Sequence, residues 1–84
     1  MANVLLTPNA QEELDALPAV AKERMLTLFG RLAKWPAVSG AKPLTGNLTG
    51  SFRLRTGDYR LRFRLRGETV IVEKIGHRKD VYDD

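Results

Sequence analysis

The chain contains no cysteine and a single histidine, His77. Disulfides and thiolate-bound metals are therefore excluded, and one imidazole cannot build a histidine metal site by itself. Long apolar runs are also missing: nothing approaches the roughly 18 residues a membrane-spanning helix needs, and the N-terminus carries no signal-peptide pattern. The expectation is a cytoplasmic protein with a single domain over residues 1–84, no metal, no cofactor and no membrane association. Aromatic residues make up only 7% of the chain. A fold of this size must rest on one small packed core of two layers at most.

Positive charge is what the chain has in excess. Lys and Arg number 14 against 10 acidic residues, a net charge of +4. The surplus is uneven: residues 1–50 carry five bases and four acids, whereas residues 51–84 carry nine and six. Clustered arginine of this kind points to a polyanionic partner, a nucleic acid or an acidic protein.

The spacing of apolar residues divides the chain in two. "ANVLLT" reads as a short strand that stops at Thr7-Pro8, where Thr can cap a helix and Pro can occupy its first turn. Ala10, Leu14 and Leu17 form a brief helical stripe interrupted by Pro18. Ala21, Met25, Leu28, Leu32 and Trp35, widened by Phe29, form a second and stronger stripe, which predicts core. Residues 36–50 hold two Pro, three Gly and scattered Ser, Thr and Asn, so they read as a connecting loop that includes "KPLTG".

From Ser51 the period becomes two. Phe52 and Leu54, then Tyr59, Leu61, Phe63 and Leu65, then Val70 and Val72 supply one apolar face of three antiparallel strands. Gly57-Asp58 and Gly67-Glu68 are two-residue hairpin turns. The register then follows: Phe52 opposes Phe63, Leu54 opposes Leu61, Phe63 opposes Val72 and Leu65 opposes Val70. The predicted fold class is α+β, an N-terminal strand and a two-helix hairpin, then a three-stranded meander forming one small sheet with helices on one face.

The other face receives Arg53 beside Arg62 and Arg55 beside Arg60, with Glu73 opposite Arg62. Like charges directly opposite each other destabilise a strand pair by roughly 0.2–1 kcal/mol. A solvated face could carry such charges for solubility, but solubility is served by mixed signs, and here six arginines meet one strand acid. Guanidinium forks match phosphate oxygens, so a bound polyanion can complete the balance. Beyond Gly76, where the chain is expected to bend over the arginine face, "HRKDVY" supplies His77, Arg78, Lys79 and Tyr82. A tyrosine there can pack on the core, stack on an unpaired base, or take a proton from a ribose 2′-OH. His77 reads as an exposed loop residue or an anion contact. Cleavage of RNA by its own 2′-hydroxyl needs a base, an acid for the leaving 5′-oxygen and positive charge at the phosphorane.

"FRLRTGDYRLRFRL" and the closing "VIVEKIGHRKDVY", with the "KPLTG" step before them, resemble the RelE/ParE superfamily of toxins from bacterial toxin–antitoxin pairs, and the RelE branch in particular. The resemblance covers nearly the whole chain, with "GDYRL" and "GHRKDVY" its specific parts. It implies a fold like that of microbial ribonucleases, and a toxin that enters the A site of the 70S ribosome, cuts mRNA and leaves a 2′,3′-cyclic phosphate. Carried over by position, it implies that Arg60 stabilises charge on the scissile phosphate, that Arg78 is general acid or phosphate ligand, and that Tyr82 is general base and stacking platform. Arg53 and Arg55 would hold the RNA backbone, with Arg62, Arg64, Lys79 and His77 as further phosphate contacts. Ser51 stands where the family has a basic residue, so charge stabilisation would be shared differently.

The resemblance also implies a partner, a cognate antitoxin with an acidic, partly disordered segment that folds on binding. The chain ends at Asp84 without the C-terminal helix that an antitoxin displaces in several relatives. Inhibition would then use another contact, such as a segment wrapping the helices or covering the arginine face. Two further readings stand beside the nuclease: a ParE-like toxin that inhibits DNA gyrase, and a non-enzymatic module that binds RNA or the ribosome with steep salt dependence.

Overall fold

The computed structural model describes residues 2–79. Strand β1 (Asn3–Leu6) hands over to helix α1 (Pro8–Asp15) at Thr7. The Thr7 hydroxyl accepts a hydrogen bond from the Ala10 N–H at 3.1 Å, and Pro8 occupies the first turn, where a missing N–H costs nothing. Pro18 separates α1 from α2 (Ala19–Leu32). Ala21, Met25, Leu28 and Leu32 of α2 are buried, as their spacing predicts. The helix stops at Leu32, one turn short of the full stripe, because Trp35 precedes Pro36 and that position disfavours helical backbone. Trp35 still joins the core: its ring meets Phe52 and Phe63 edge-on, with centroids 5.3 and 5.5 Å away.

Three strands form the meander: β3 (Ser51–Thr56), β4 (Tyr59–Arg66) and β5 (Thr69–His77). Gly57 and Gly67 open the two turns with φ of 59° and 61°, positive φ at the first central residue as a II′ hairpin turn requires. The pairs Phe52–Phe63, Leu54–Leu61, Phe63–Val72 and Leu65–Val70 form as expected. Leu54, Leu61, Phe63, Val70, Val72 and Ile75 close the core against Ala10, Leu14, Met25, Leu28 and Leu32.

The sheet is larger than the predicted meander. It has five strands in the order β1-β5-β4-β3-β2, with β1 parallel to β5. The extra strand, β2 (Lys42–Pro43), lies inside the segment read as a loop and pairs antiparallel with β3. Two residues are too few to show alternation, and Pro is tolerated only at a sheet edge, where its missing N–H faces outward. Leu44, just after it, is buried. A second difference is a bulge: β5 carries one extra residue, Glu73, so Arg62 pairs with Lys74 rather than with Glu73. Third, the chain does not bend at Gly76; β5 runs through it to His77.

β1 covers β5 only as far as Val72. Over the exposed remainder of that edge lies α1, whose Glu13 accepts from the Ile75 N–H at 2.9 Å and from Lys74 Nζ at 3.0 Å. One carboxylate thus satisfies an edge donor and an ammonium together. Among the described residues no helix is long and apolar enough to cross a membrane.

Candidate nucleic-acid interface

Alternation along the meander turns every arginine of residues 53–66 away from the core. Arg53 lies opposite Arg62 and Arg55 opposite Arg60, the like-charge pairs the sequence predicts. β2 and β5 lengthen the first pair into a row, because Lys42 pairs with Arg53 and Lys74 with Arg62. Lys42, Arg53, Arg62 and Lys74 therefore cross four adjacent strands, each about 4.8 Å from the next. The next row toward the β3–β4 turn holds Arg55, Arg60 and Gly76.

The row on the other side differs in character. Ser51 opposes Arg64, which opposes Ile71, which in turn opposes Leu5 of β1. Leu5 is 57% exposed. The open face is consequently cationic over β2–β4 and apolar beside β1.

Glu73 lies between these regions. Its Oε1 accepts from Ser51 Oγ at 2.7 Å and from Arg62 Nε at 3.2 Å, and its Oε2 accepts from Arg64 Nη1 at 3.0 Å. Burial alone would raise the pKa of this carboxyl. The Ser51 hydroxyl, the nearby Arg62 charge and the two guanidinium hydrogen bonds outweigh it, and hold the pKa below the ordinary glutamate value. Arg62 and Arg64 are thus ion-paired to Glu73. Ser51 takes part in that ion-paired cluster; a Lys or Arg side chain there would have to share the carboxylate with both arginines.

The tail begins at the cationic end of the face. The Arg78 N–H donates to the Asp58 carbonyl at 2.7 Å, tying the residue after β5 to the β3–β4 turn. Arg60 opposes Gly76, two residues before Arg78. Arg55, Arg60 and Arg78 are therefore gathered at one end of the sheet. Lys79 is exposed, with its N–H on His77 Nδ1 at 3.2 Å. Tyr82 lies outside the described residues.

His77 is not brought to the arginines. It pairs with Tyr59 and shares the helix-side face, where the two rings meet edge-on at 5.5 Å. Both line a cavity of about 390 Å³ with Glu13, Ala16, Leu17, Ile75 and Gly76. Sequence reasoning missed Lys42 and the Ser51–Glu73 contact. Lys42 had a signal in the "KPLTG" step, which a short edge strand with Pro would explain. The Ser51–Glu73 contact had none, since it depends on the bulge.

The sequence model of a family described as ParE toxin of type II toxin–antitoxin system, parDE, matches residues 4–82. Toxin RelG of Mycobacterium tuberculosis is 37% identical over 82 residues, covering 94% of this chain and 93% of that protein. The solved toxin–antitoxin complex RelBE2 from the same organism holds a chain 34% identical, with a TM-score of 0.81 over 94% of this chain and 93% of that one. The isolated E. coli RelE toxin has the same fold, at 16% identity and a TM-score of 0.77, over 92% of this chain and 84% of that one.

Proposed function

Because this chain belongs to the RelE/ParE superfamily of type II toxin–antitoxin toxins, we propose that it is an mRNA endoribonuclease that acts in the ribosomal A site without a metal ion. It is the toxin of a toxin–antitoxin pair in the RelE family, and its partner is a cognate antitoxin. The observation that carries the nuclease reading is the gathering of Arg55, Arg60 and Arg78 at one end of an open cationic sheet face, through the Arg60–Gly76 pair and the Arg78–Asp58 bond.

The chemistry assigned to these residues is transfer of the phosphodiester to the adjacent 2′-oxygen. Tyr82, as its phenolate, removes the 2′-OH proton, the oxygen attacks phosphorus, and the 5′-oxygen leaves and takes up a proton from Arg78 or solvent, so a 2′,3′-cyclic phosphate and a 5′-hydroxyl result. Arg60 stabilises the charge that develops on the phosphorane, a contribution of roughly 10²–10³ in rate for one such donor. Arg78 protonates the leaving oxygen or holds the phosphate, and Arg53 and Arg55 hold the backbone on either side. A guanidinium donates well but loses its proton reluctantly, so the phosphate-ligand role suits Arg78 better than that of acid.

Primer extension on cellular mRNA after brief induction tests this. Cuts at a fixed codon position inside translated frames are expected, absent in Tyr82→Phe and Arg78→Ala. Because the matching family is described by the parDE system, a second reading stands, inhibition of DNA gyrase. Relaxed or broken DNA with intact messages would establish that reading and remove the first.

A further inference from the structure

The cationic end of the sheet has a neighbour in the helix layer. Ala21, Met25 and Leu28 of α2 are buried in the core, and Arg24 stands on the flank of that stripe, exposed. Three and four residues to either side of it are Val20, Ala21, Thr27 and Leu28, so no acid of the helix is placed to pair with Arg24. Its guanidinium reaches the β3–β4 turn instead. A Cβ built on Gly57 would stand 2.6 Å from Arg24 Nη1 and 3.9 Å from its Cζ. Any side chain at residue 57 would push that guanidinium away. Gly57, with φ of 59°, thus serves the hairpin and seats the cation as well.

Arg24 makes no hydrogen bond and no ion pair among the described residues, and the carboxylate of Asp58, the acid of the turn, has no ion pair there either. A side chain whose work was to brace the hairpin would bond one of its carbonyls. Arg24 bonds none. Arg55, Arg78 and Lys79 are exposed around the same turn, with the Arg78 N–H on the Asp58 carbonyl. A guanidinium is planar and weakly hydrated, so it can pack against backbone and still offer its forked donors to an anion.

We propose that Arg24 is a phosphate-binding residue for RNA, and that the cationic surface does not end at the sheet but continues round Gly57 onto the helix layer. RNA that leaves the open face past the β3–β4 turn meets a cation from the opposite layer. The inference rests on the nuclease reading, which puts RNA on this face.

The test is binding of a fluorescein-labelled single-stranded RNA 12-mer to the purified chain, followed by anisotropy from 50 to 200 mM salt, with Lys34→Gln as the matched control. Lys34 is exposed just past the far end of α2, where Ala33 accepts from the Ala2 N–H and Asn3 donates to Glu68 beside the β4–β5 turn. Both variants lose one positive charge, so position alone separates them. Arg24→Gln should bind more weakly than Lys34→Gln, with a log–log salt slope shallower than the wild type by about 0.7, one single-strand phosphate. Its deficit should shrink about 2.6-fold between 50 and 200 mM salt. Cosedimentation with 70S ribosomes is the second arm. A loss with the 12-mer assigns the Arg24 phosphate to the strand on the face, and a loss with ribosomes alone assigns it to ribosomal RNA.

Equal behaviour of Arg24→Gln and Lys34→Gln in both arms would overturn the inference and leave the nuclease reading standing. Thermal unfolding of Arg24→Gln should match the wild type. A lowered midpoint with an unchanged salt slope would make Arg24 a brace of the hairpin, and the phosphate role would fall. A wild-type chain that binds neither the 12-mer nor ribosomes would remove the nuclease reading, and this inference with it.

Discussion

The two faces of this sheet are written by alternate residues of the same three strands, yet they obey different rules. On the covered face, Leu54, Leu61, Phe63, Val70 and Val72 meet the helices, and what decides their placing is volume and water exclusion. On the open face, Arg53, Arg55, Arg60 and Arg62 lie opposite like charges while Arg62 and Arg64 bond Glu73, and what decides their behaviour is which group stands within 3 or 4 Å. The covered face is organised for stability. The open face sets like charges opposite one another, an arrangement that the RNA ligand proposed above would relieve.

The largest effect separating the two should come from the covered face. Phe63 is fully buried and stacks on Phe52 at 5.4 Å with Trp35 edge-on. Phe63→Ala should cost about 3–5 kcal/mol in urea unfolding, a large share of what so small a core supplies. A loss under 1 kcal/mol would mean the aromatic cluster is not the centre of the core. On the open face the same truncation at Arg60 should leave the unfolding midpoint nearly in place while lowering mRNA cleavage roughly 10²–10³-fold. A variant that loses stability and activity together would erase the division between the faces.

Most of the covered face was legible in the sequence, because a period of two with Gly at each turn leaves one register that buries all the apolar residues. Phe52–Phe63 and Leu65–Val70 follow from that constraint alone. The open face was legible only in part. Alternation identifies which arginines share it, but not which of them Glu73 holds, since the bulge moves that residue out of the pairing sequence and no apolar pattern reports it. β2 was hidden for another reason: a two-residue edge strand buries nothing by itself, and only its neighbour Leu44 does. His77 was misplaced by the expected bend at Gly76. Once β5 continues through that glycine, alternation carries the imidazole to the helix side.

Acid should sharpen the contrast through Glu73, whose pKa is lowered in the folded protein. The unfolded chain binds that proton first as pH falls, so the stabilisation is fully present above the ordinary glutamate pKa of about 4.3 and is lost as pH drops through the lower native value. Urea midpoints for the wild type and Glu73→Gln should therefore converge below about pH 4.3. Curves that stay parallel through that range would deny the carboxylate its folded partners.

The smallest effect, and the one that tests why like charges were kept, is expected at Lys42. It stands on the edge strand, exposed and directly opposite Arg53, with Arg62 and Lys74 continuing the row. Removing its charge relieves repulsion worth roughly 0.2–1 kcal/mol across one strand pair. It should also subtract about 0.7 from the salt slope of single-stranded RNA binding. Lys42→Ala is thus expected to be slightly more stable than the wild type and a slightly weaker RNA binder, opposite signs from a single substitution. Loss on both measures would make Lys42 a support of the sheet edge, and the repulsion along this row would then need an explanation other than RNA.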